Sequence, residues 1–331
     1  MHGVKRTRDS AAVLAARREK EAAILKDYLE LETEVLRRNR AREFTQDSFD
    51  LTTKLLKSSF EHYTTWNLRR RVLESTLFPD ALPAQINELI GNELLFTSTA
   101  LRQHPKVYWI WNHRRWCLER IPDCTDGDQP AIWKEAAWKK ELFVVEKMLD
   151  SDARNFHAWN YRRYVLASLP TPRPPSEELA YTRRKIEANH SNFSAWHQRS
   201  KVFTTIWQGK GPDEIFKVKA AEFDLVKTAL FMNPDDQSGW LYHRWLIGSR
   251  PEQEVLLREI QVVNELLELE PDSKWCLESL LHYKRLSLQT NLASNVTVVK
   301  QECLDLLGRL EQVDAAHVAR YRQLKAQLTH P

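Results

Sequence analysis

The chain has 331 residues, enough for one large or two ordinary domains, and 42% hydrophobic with 28% charged residues make it globular rather than disordered. Its 8 glycines fall far below the usual ~7%, so few positive-φ turns are available and a many-stranded sandwich or barrel is disfavoured. There is no membrane-spanning run of about 18 apolar residues, and the net charge of +4 sits in the first 20 residues (Lys5, Arg6, Arg8, Arg17, Arg18, Lys20 against Asp9, Glu19), leaving a neutral remainder unsuited to nucleic acid.

Residues 11–16 are apolar but run into Arg17-Arg18-Glu19-Lys20, too short and wrongly flanked for a secretory signal. The four cysteines, Cys117, Cys124, Cys276 and Cys303, form no CxxC pair, which fits a reducing compartment. A cytoplasmic protein is expected. From about residue 10 to 40, Ile24, Leu25, Tyr28, Leu29, Leu31, Val35 and Leu36 supply one apolar face and predict a long helix.

Five blocks then repeat: Trp66-Asn-Leu-Arg69-Arg, Trp111-Asn-His-Arg114-Arg, Trp159-Asn-Tyr-Arg162-Arg, Trp196-His-Gln-Arg199-Ser and Trp240-Leu-Tyr-His243-Arg244. A weaker sixth centres on Trp275. Spacings of 45, 48, 37, 44 and 35 residues suit helical hairpins but are too long and uneven for the 34-residue tetratricopeptide unit. In each block the tryptophan, the residue three later and apolar residues six and seven later (Val72-Leu73 in the first, Leu246-Ile247 in the fifth) share one helical face. Turn and cap formers precede it, among them Asn155, Ser191-Asn192, Pro234-Asp235-Asp236 and Pro271-Asp272-Ser273. The partner helices show stripes such as Leu142/Val145/Leu149 and Phe223/Val226/Leu230. Breakers at 121–130, 169–175 and 209–212 predict loops, and residues about 297–328 predict a closing helix.

The fold class expected is all-α: a right-handed superhelical solenoid of helical hairpins, one domain over 1–331, with repeats at 45–290 closed by capping helices at 10–40 and 297–328. The tryptophans read as packing between layers, and the paired arginines as ligands of carbonyls and carboxylates or partners of the rings. There is no Walker or dinucleotide glycine loop, no His-Glu-x-x-His and no glycine-flanked serine, so the sequence offers no complete active site.

The Trp-x-x-Arg series resembles the repeat of protein prenyltransferase α subunits over about residues 45–290. The start Met1-His2-Gly3 and the block 233–248, with His243 in place of arginine, are more similar to the Rab geranylgeranyltransferase branch than to the branch shared by farnesyltransferase and the type I enzyme. The resemblance is to the compact form, without immunoglobulin-like or leucine-rich domains. It implies a crescent that wraps a β subunit holding zinc and the prenyl pocket, inactive alone. Matching the family's Pro-Lys-x-Tyr, Pro105-Lys106-Val107-Tyr108 implies that Lys106 meets the diphosphate of geranylgeranyl diphosphate, with Tyr108 beside it.

Matching Lys-Asn-Tyr-His-x-Trp, residues Arg154-Asn155-Phe156-His157-Ala158-Trp159 imply cleft-facing polar edges at Asn155 and His157, with the charge kept at Arg154 and the hydroxyl lost at Phe156. His2 is implied to reach the β subunit's zinc. Lysine can take over magnesium's charge-neutralising role, which leaves the need for that ion open. The implied partners are the β subunit, an escort protein and Rab GTPases, with no nucleic acid and no membrane insertion. Two alternatives stay open: the shared α subunit acting on CaaX proteins, and a non-enzymatic helical-repeat scaffold.

Overall fold

The computed structural model describes residues 10–123 and 132–329, which contain fifteen α-helices and no strand. They fall into two compact units, Met1–Arg173 and Pro174–Pro331. The first holds α1 (Ala11–Ala41), α2 (Gln46–Ser58), α3 (Tyr63–Val72), α4 (Pro83–Gln103), α5 (Tyr108–Leu118), α6 (Ile132–Ser151) and α7 (Phe156–Ser168). The second holds α8 (Pro175–Ala188), α9 (Phe193–Trp207), α10 (Pro212–Met232), α11 (Gln237–Ile247), α12 (Gln253–Leu269), α13 (Lys274–Gln289), α14 (Val296–Val313) and α15 (Val318–Thr329). From α2 onward, successive helices pair as hairpins, and within each unit the second helices stack: α3 on α5 on α7, and α9 on α11 on α13. No helix among the described residues is long and apolar enough to cross a membrane.

The five tryptophans share one bond. Each indole N–H donates to the carbonyl six residues back, in the turn that joins its two helices: Trp66 to Phe60 (2.9 Å), Trp111 to Pro105 (3.0 Å), Trp159 to Ala153, Trp196 to His190 and Trp240 to Pro234 (each 2.8 Å). The ring fills the core while its one polar atom satisfies a turn carbonyl that the helix cannot reach. Each tryptophan is the fourth residue after its N-cap. Counting from Ser273, the N-cap of α13, the fourth residue is the fully buried Leu277. Trp275 therefore does not centre the sixth repeat, as its sequence spacing had suggested; it stands two residues early and half-buried.

Three residues after the tryptophan comes the cation that joins consecutive hairpins. Arg69 grips Glu93 of α4 through two bonds of 2.6 Å, Arg114 grips Glu141 of α6 at 2.7 and 2.6 Å, and Arg199 grips Glu222 of α10 through two of 2.6 Å. The remaining nitrogen turns back onto the first helix of its own hairpin, as when Arg114 Nη1 donates to the Leu94 carbonyl and the Thr97 and Ser98 hydroxyls. In the fifth repeat His243 reaches Glu259 of α12 (2.9 Å), and Arg258 supplies that carboxylate with a second donor (2.8 Å). Buried carboxylates survive only with such saturation.

In three repeats the residue just before the one at that position completes the join. His113 Nε2 lies 2.8 Å from Glu93, Gln198 donates to Glu178 (3.1 Å) and Tyr242 to Glu222 (2.7 Å). Burial drives the His113 pKa down from 6.5 to about 4, only partly offset by Glu93. Burial pushes the Glu93 carboxyl up, but the bonds from His113 and Arg69 outweigh it and hold the group at about 2. Neutral His113 thus donates to Glu93 through Nε2 and accepts from Arg70 Nε through Nδ1 (3.2 Å). Both folded pKa values lie below their ordinary ones, so the unfolded chain takes up protons first as pH falls. Stability is therefore expected to fall between pH 6.5 and about 4 through His113, and from 4.5 toward about 2 through Glu93. His113→Gln, which copies what Gln198 already does, should flatten the upper part of that decline in urea midpoints measured from pH 7 to 4. Identical slopes for the two proteins would remove His113 as its source.

Both terminal helices differ from expectation. In α1, Val35 is buried against Leu55, Leu68 and Val72, with Tyr28 and Leu31 partly covered, but Ile24, Leu25 and Leu29 are exposed. At 1.5 Å per residue, a 31-residue helix outruns the 13-residue α2 on which it packs. At the other end, the single closing helix is instead two, α14 and α15, broken at Asp314. Its carboxylate holds Lys274 of α13 (2.7 Å), the Tyr321 hydroxyl of α15 (2.6 Å) and His317 (2.9 Å), contacts that tie the break to α13 and α15.

Candidate functional site

Within the first unit, the turns entering α5 and α7 are bound to each other. Asn155, the N-cap of α7, accepts from the His157 and Ala158 N–H groups (3.0 and 3.2 Å) and donates through Nδ2 to the Pro105 carbonyl (3.1 Å), the same oxygen that Trp111 engages. Asn155 is 1% exposed. Its amide does not face a cleft, as its place in the motif implied; helix capping and the Pro105 bond consume it inside the fold. Its contribution is to fix the Lys106 turn against the start of α7.

The other predicted residues gather on the outer edge so formed. Lys106 is exposed, its Nζ 3.4 Å from Asp152 Oδ2. Tyr108, the first residue of α5, is exposed and packs edge-on against Trp109 (5.6 Å between centroids) and His157 (6.3 Å). Phe156, the first residue of α7, is 69% exposed and lies edge-on to the half-buried His157 at 5.4 Å. Arg154 is exposed, and its backbone N–H donates to Asp152 Oδ1 (3.0 Å). His2 lies outside the described residues, as does Cys124.

One electrostatic feature sets this edge apart. The second helices α3, α7, α9, α11 and α13 are capped by side chains, those of His62, Asn155, Asn192, Asp236 and Ser273. Before α5 the N-cap is the apolar Val107, which has no side-chain acceptor to offer. The first N–H groups of α5, at the positive end of the helix dipole, thus have no side-chain cap, and Lys106 stands in the turn two residues before the helix begins. The arrangement suits an anion with several acceptor oxygens, and phosphates are the usual guests of such a helix start.

Sequence reasoning missed Tyr63, Trp109 and Asp152. Tyr63 opens α3 as Tyr108 opens α5, is likewise exposed, and packs on Trp109 at 5.5 Å. The signal was an aromatic residue three before four of the five tryptophans: Tyr63, Tyr108, Phe156 and, in the second unit, Phe193. Within the first unit, the exposed rings of Tyr63, Tyr108 and Phe156 offer apolar surface along the same edge as the basic group. Among the described residues no group of three or more His, Cys, Asp or Glu side chains is arranged to hold a metal ion.

The model of the protein prenyltransferase alpha subunit repeat matches residues 45–76, 90–121, 138–169, 175–206 and 220–250, the five tryptophan hairpins. The chain is 33% identical to the geranylgeranyl transferase type-2 subunit alpha of Schizosaccharomyces pombe, across 100% of this chain and 99% of that protein. The Dictyostelium discoideum subunit of the same name is also 33% identical, across 99% and 100%. The Bos taurus subunit is 35% identical over 77% of this chain, which spans 43% of that longer protein. Among solved structures, a chain of Candida albicans protein geranylgeranyltransferase-I complexed with GGPP superposes with a TM-score of 0.71 over 92% of this chain and 91% of that one, at 20% identity, a likeness of fold.

Proposed function

Because the chain belongs to the protein prenyltransferase α subunits, we propose that it is the α subunit of a type-2, Rab-directed geranylgeranyltransferase. The observation that carries this reading is the end-to-end identity of 33% with two subunits of that name. The enzyme is a heterodimer with a β subunit, and this chain alone is inactive. Geranylgeranyl passes from its diphosphate to carboxy-terminal cysteines of Rab GTPases presented by an escort protein. A sulfur–carbon bond forms, the carbon–oxygen bond to diphosphate breaks, and the electron pair leaves with the diphosphate.

In this reading Lys106 and the open start of α5 receive the charge that grows on the leaving group, a contact stronger in the transition state than in the ground state. Tyr108, His157 and Arg154 flank the diphosphate, while Phe156 lends an apolar face to the prenyl chain. Zinc, held by the β subunit, supplies the cysteine as thiolate; His2 is the residue of this chain assigned to its vicinity. A lysine at the diphosphate can take over magnesium's charge-neutralising role.

The test is to isolate the chain with its natural partner, quantify zinc, and assay geranylgeranyl transfer to Rab proteins with and without escort protein. Escort-dependent transfer by a zinc-containing heterodimer is expected. Modification of CaaX peptides instead would make it the subunit shared with farnesyltransferase, and recovery without any partner would favour the scaffold.

A further inference from the structure

Asp152 is held more tightly than a surface carboxylate needs to be. Its Oδ1 accepts the Arg154 backbone N–H at 3.0 Å, and its carbonyl accepts the Asn155 N–H at 3.0 Å. The turn that carries it is fixed to the Lys106 turn by the bond from Asn155 Nδ2 to the Pro105 carbonyl. These constraints leave Oδ2 at 3.4 Å from Lys106 Nζ. The pair has side-chain exposures of 71% and 38%, and ion pairs that open to water contribute little to stability. A lysine on a four-carbon stem, by contrast, loses much rotamer freedom when its ammonium must stand at one point.

We propose that Asp152 is the positioning residue for Lys106: it tethers the ammonium at the start of α5, so that the lysine is already in place when charge develops on the leaving diphosphate. This inference rests on the reading of Lys106 as the diphosphate contact. A tether bears on the two steps differently. It favours the chemical step by sparing the lysine a search for its position, and it opposes binding, because a carboxylate beside the site repels the incoming diphosphate and shares its cation. Loss of the negative charge should therefore slow transfer without weakening binding, whereas a merely structural lesion weakens both.

Asp152→Asn is the informative change, because the amide oxygen can still accept the Arg154 N–H. In the assembled heterodimer, the single-turnover rate of transfer from geranylgeranyl diphosphate should fall threefold to tenfold, with the dissociation constant for that substrate unchanged or lowered. Asp152→Glu should keep at least half the wild-type rate. In a Lys106→Ala background, Asp152→Asn should change the transfer rate less than twofold, since there is no lysine left to hold. An unchanged rate for Asp152→Asn, a raised dissociation constant, or a further fall in the Lys106→Ala background would each overturn the tether while leaving Lys106 in its role. If Lys106→Ala itself transfers at the wild-type rate, the diphosphate reading fails, and the tether with it. Recovery of each variant on the β subunit separates these outcomes from failure to fold.

Discussion

Arg114→Ala is expected to destabilise the chain by about 3–5 kcal/mol, because it strands a buried carboxylate. Arg114 is 1% exposed and Glu141 2%, and the guanidinium supplies both of the short charge-assisted bonds to that carboxylate. Alanine would also leave the Leu94 carbonyl and the Ser98 hydroxyl without their shared donor. For a unit of this size each kcal/mol lowers Tm by ~2–4 °C, so thermal unfolding should shift down by roughly 6–20 °C. A second variant identifies the cause: Arg114→Met combined with Glu141→Leu removes both charges and keeps most of the volume, and should regain much of the loss. An equal loss in the single and double variants would mean that shape, not the unpaired charge, sets the cost.

Lys106→Ala is expected to act in the opposite way, sparing the fold and reducing the chemistry. The side chain lies in solvent, and its ion pair with Asp152 is open to water, so thermal unfolding and assembly with the β subunit should be unchanged within error. On the proposed reading, turnover of the heterodimer should drop more than tenfold, or more than ~1.4 kcal/mol of barrier. Because the contact is made chiefly to the leaving group, kcat and kcat/KM for geranylgeranyl diphosphate should fall together. Lys106→Arg keeps the charge with a planar head on a different stem and should recover only part of the rate. Wild-type turnover by Lys106→Ala would take this lysine out of the mechanism.

What the sequence disclosed and what it hid follow from the range of each interaction. The hairpins were legible because cap, tryptophan and apolar pair recur within about three turns of a single helix. The carboxylates that receive the arginines were not, because Glu93, Glu141, Glu222 and Glu259 follow Arg69, Arg114, Arg199 and His243 by 24, 27, 23 and 16 residues, intervals set by loops of different length. Periodicity gave α1 an apolar face but carried no information about how far α2 would cover it. The break at Asp314 depends on Lys274 and Tyr321, each from another helix, and is invisible to a local pattern. At the site, the places of exposed Lys106, Tyr108 and Phe156 and of half-buried His157 followed from a motif at the start of two helices. Asn155 was misjudged because its residue type suits a cap as well as a cleft, and only the neighbouring turn decides between them.

The residue three positions after each tryptophan also acts as punctuation. Arg69, Arg114, Arg162, Arg199 and His243 each place at that point a cation or a ring nitrogen that has to find an acid, and Arg69, Arg114, Arg199 and His243 find it one hairpin further along. In α13 the same point, three after Leu277, is Leu280, 1% exposed, and it asks nothing of the next helix but contact. The series is thus written as an open clause in every hairpin until an aliphatic residue ends it. An extra hairpin spliced in after α11 would be grammatical if it brought both an acid for His243 and a cation for Glu259, whereas one spliced in after α13 would have no charge to answer. At this one helical position the join to the following hairpin changes from charge to aliphatic packing, and changing Leu280 to arginine would bury a cation where the fold now holds a side chain that is 1% exposed.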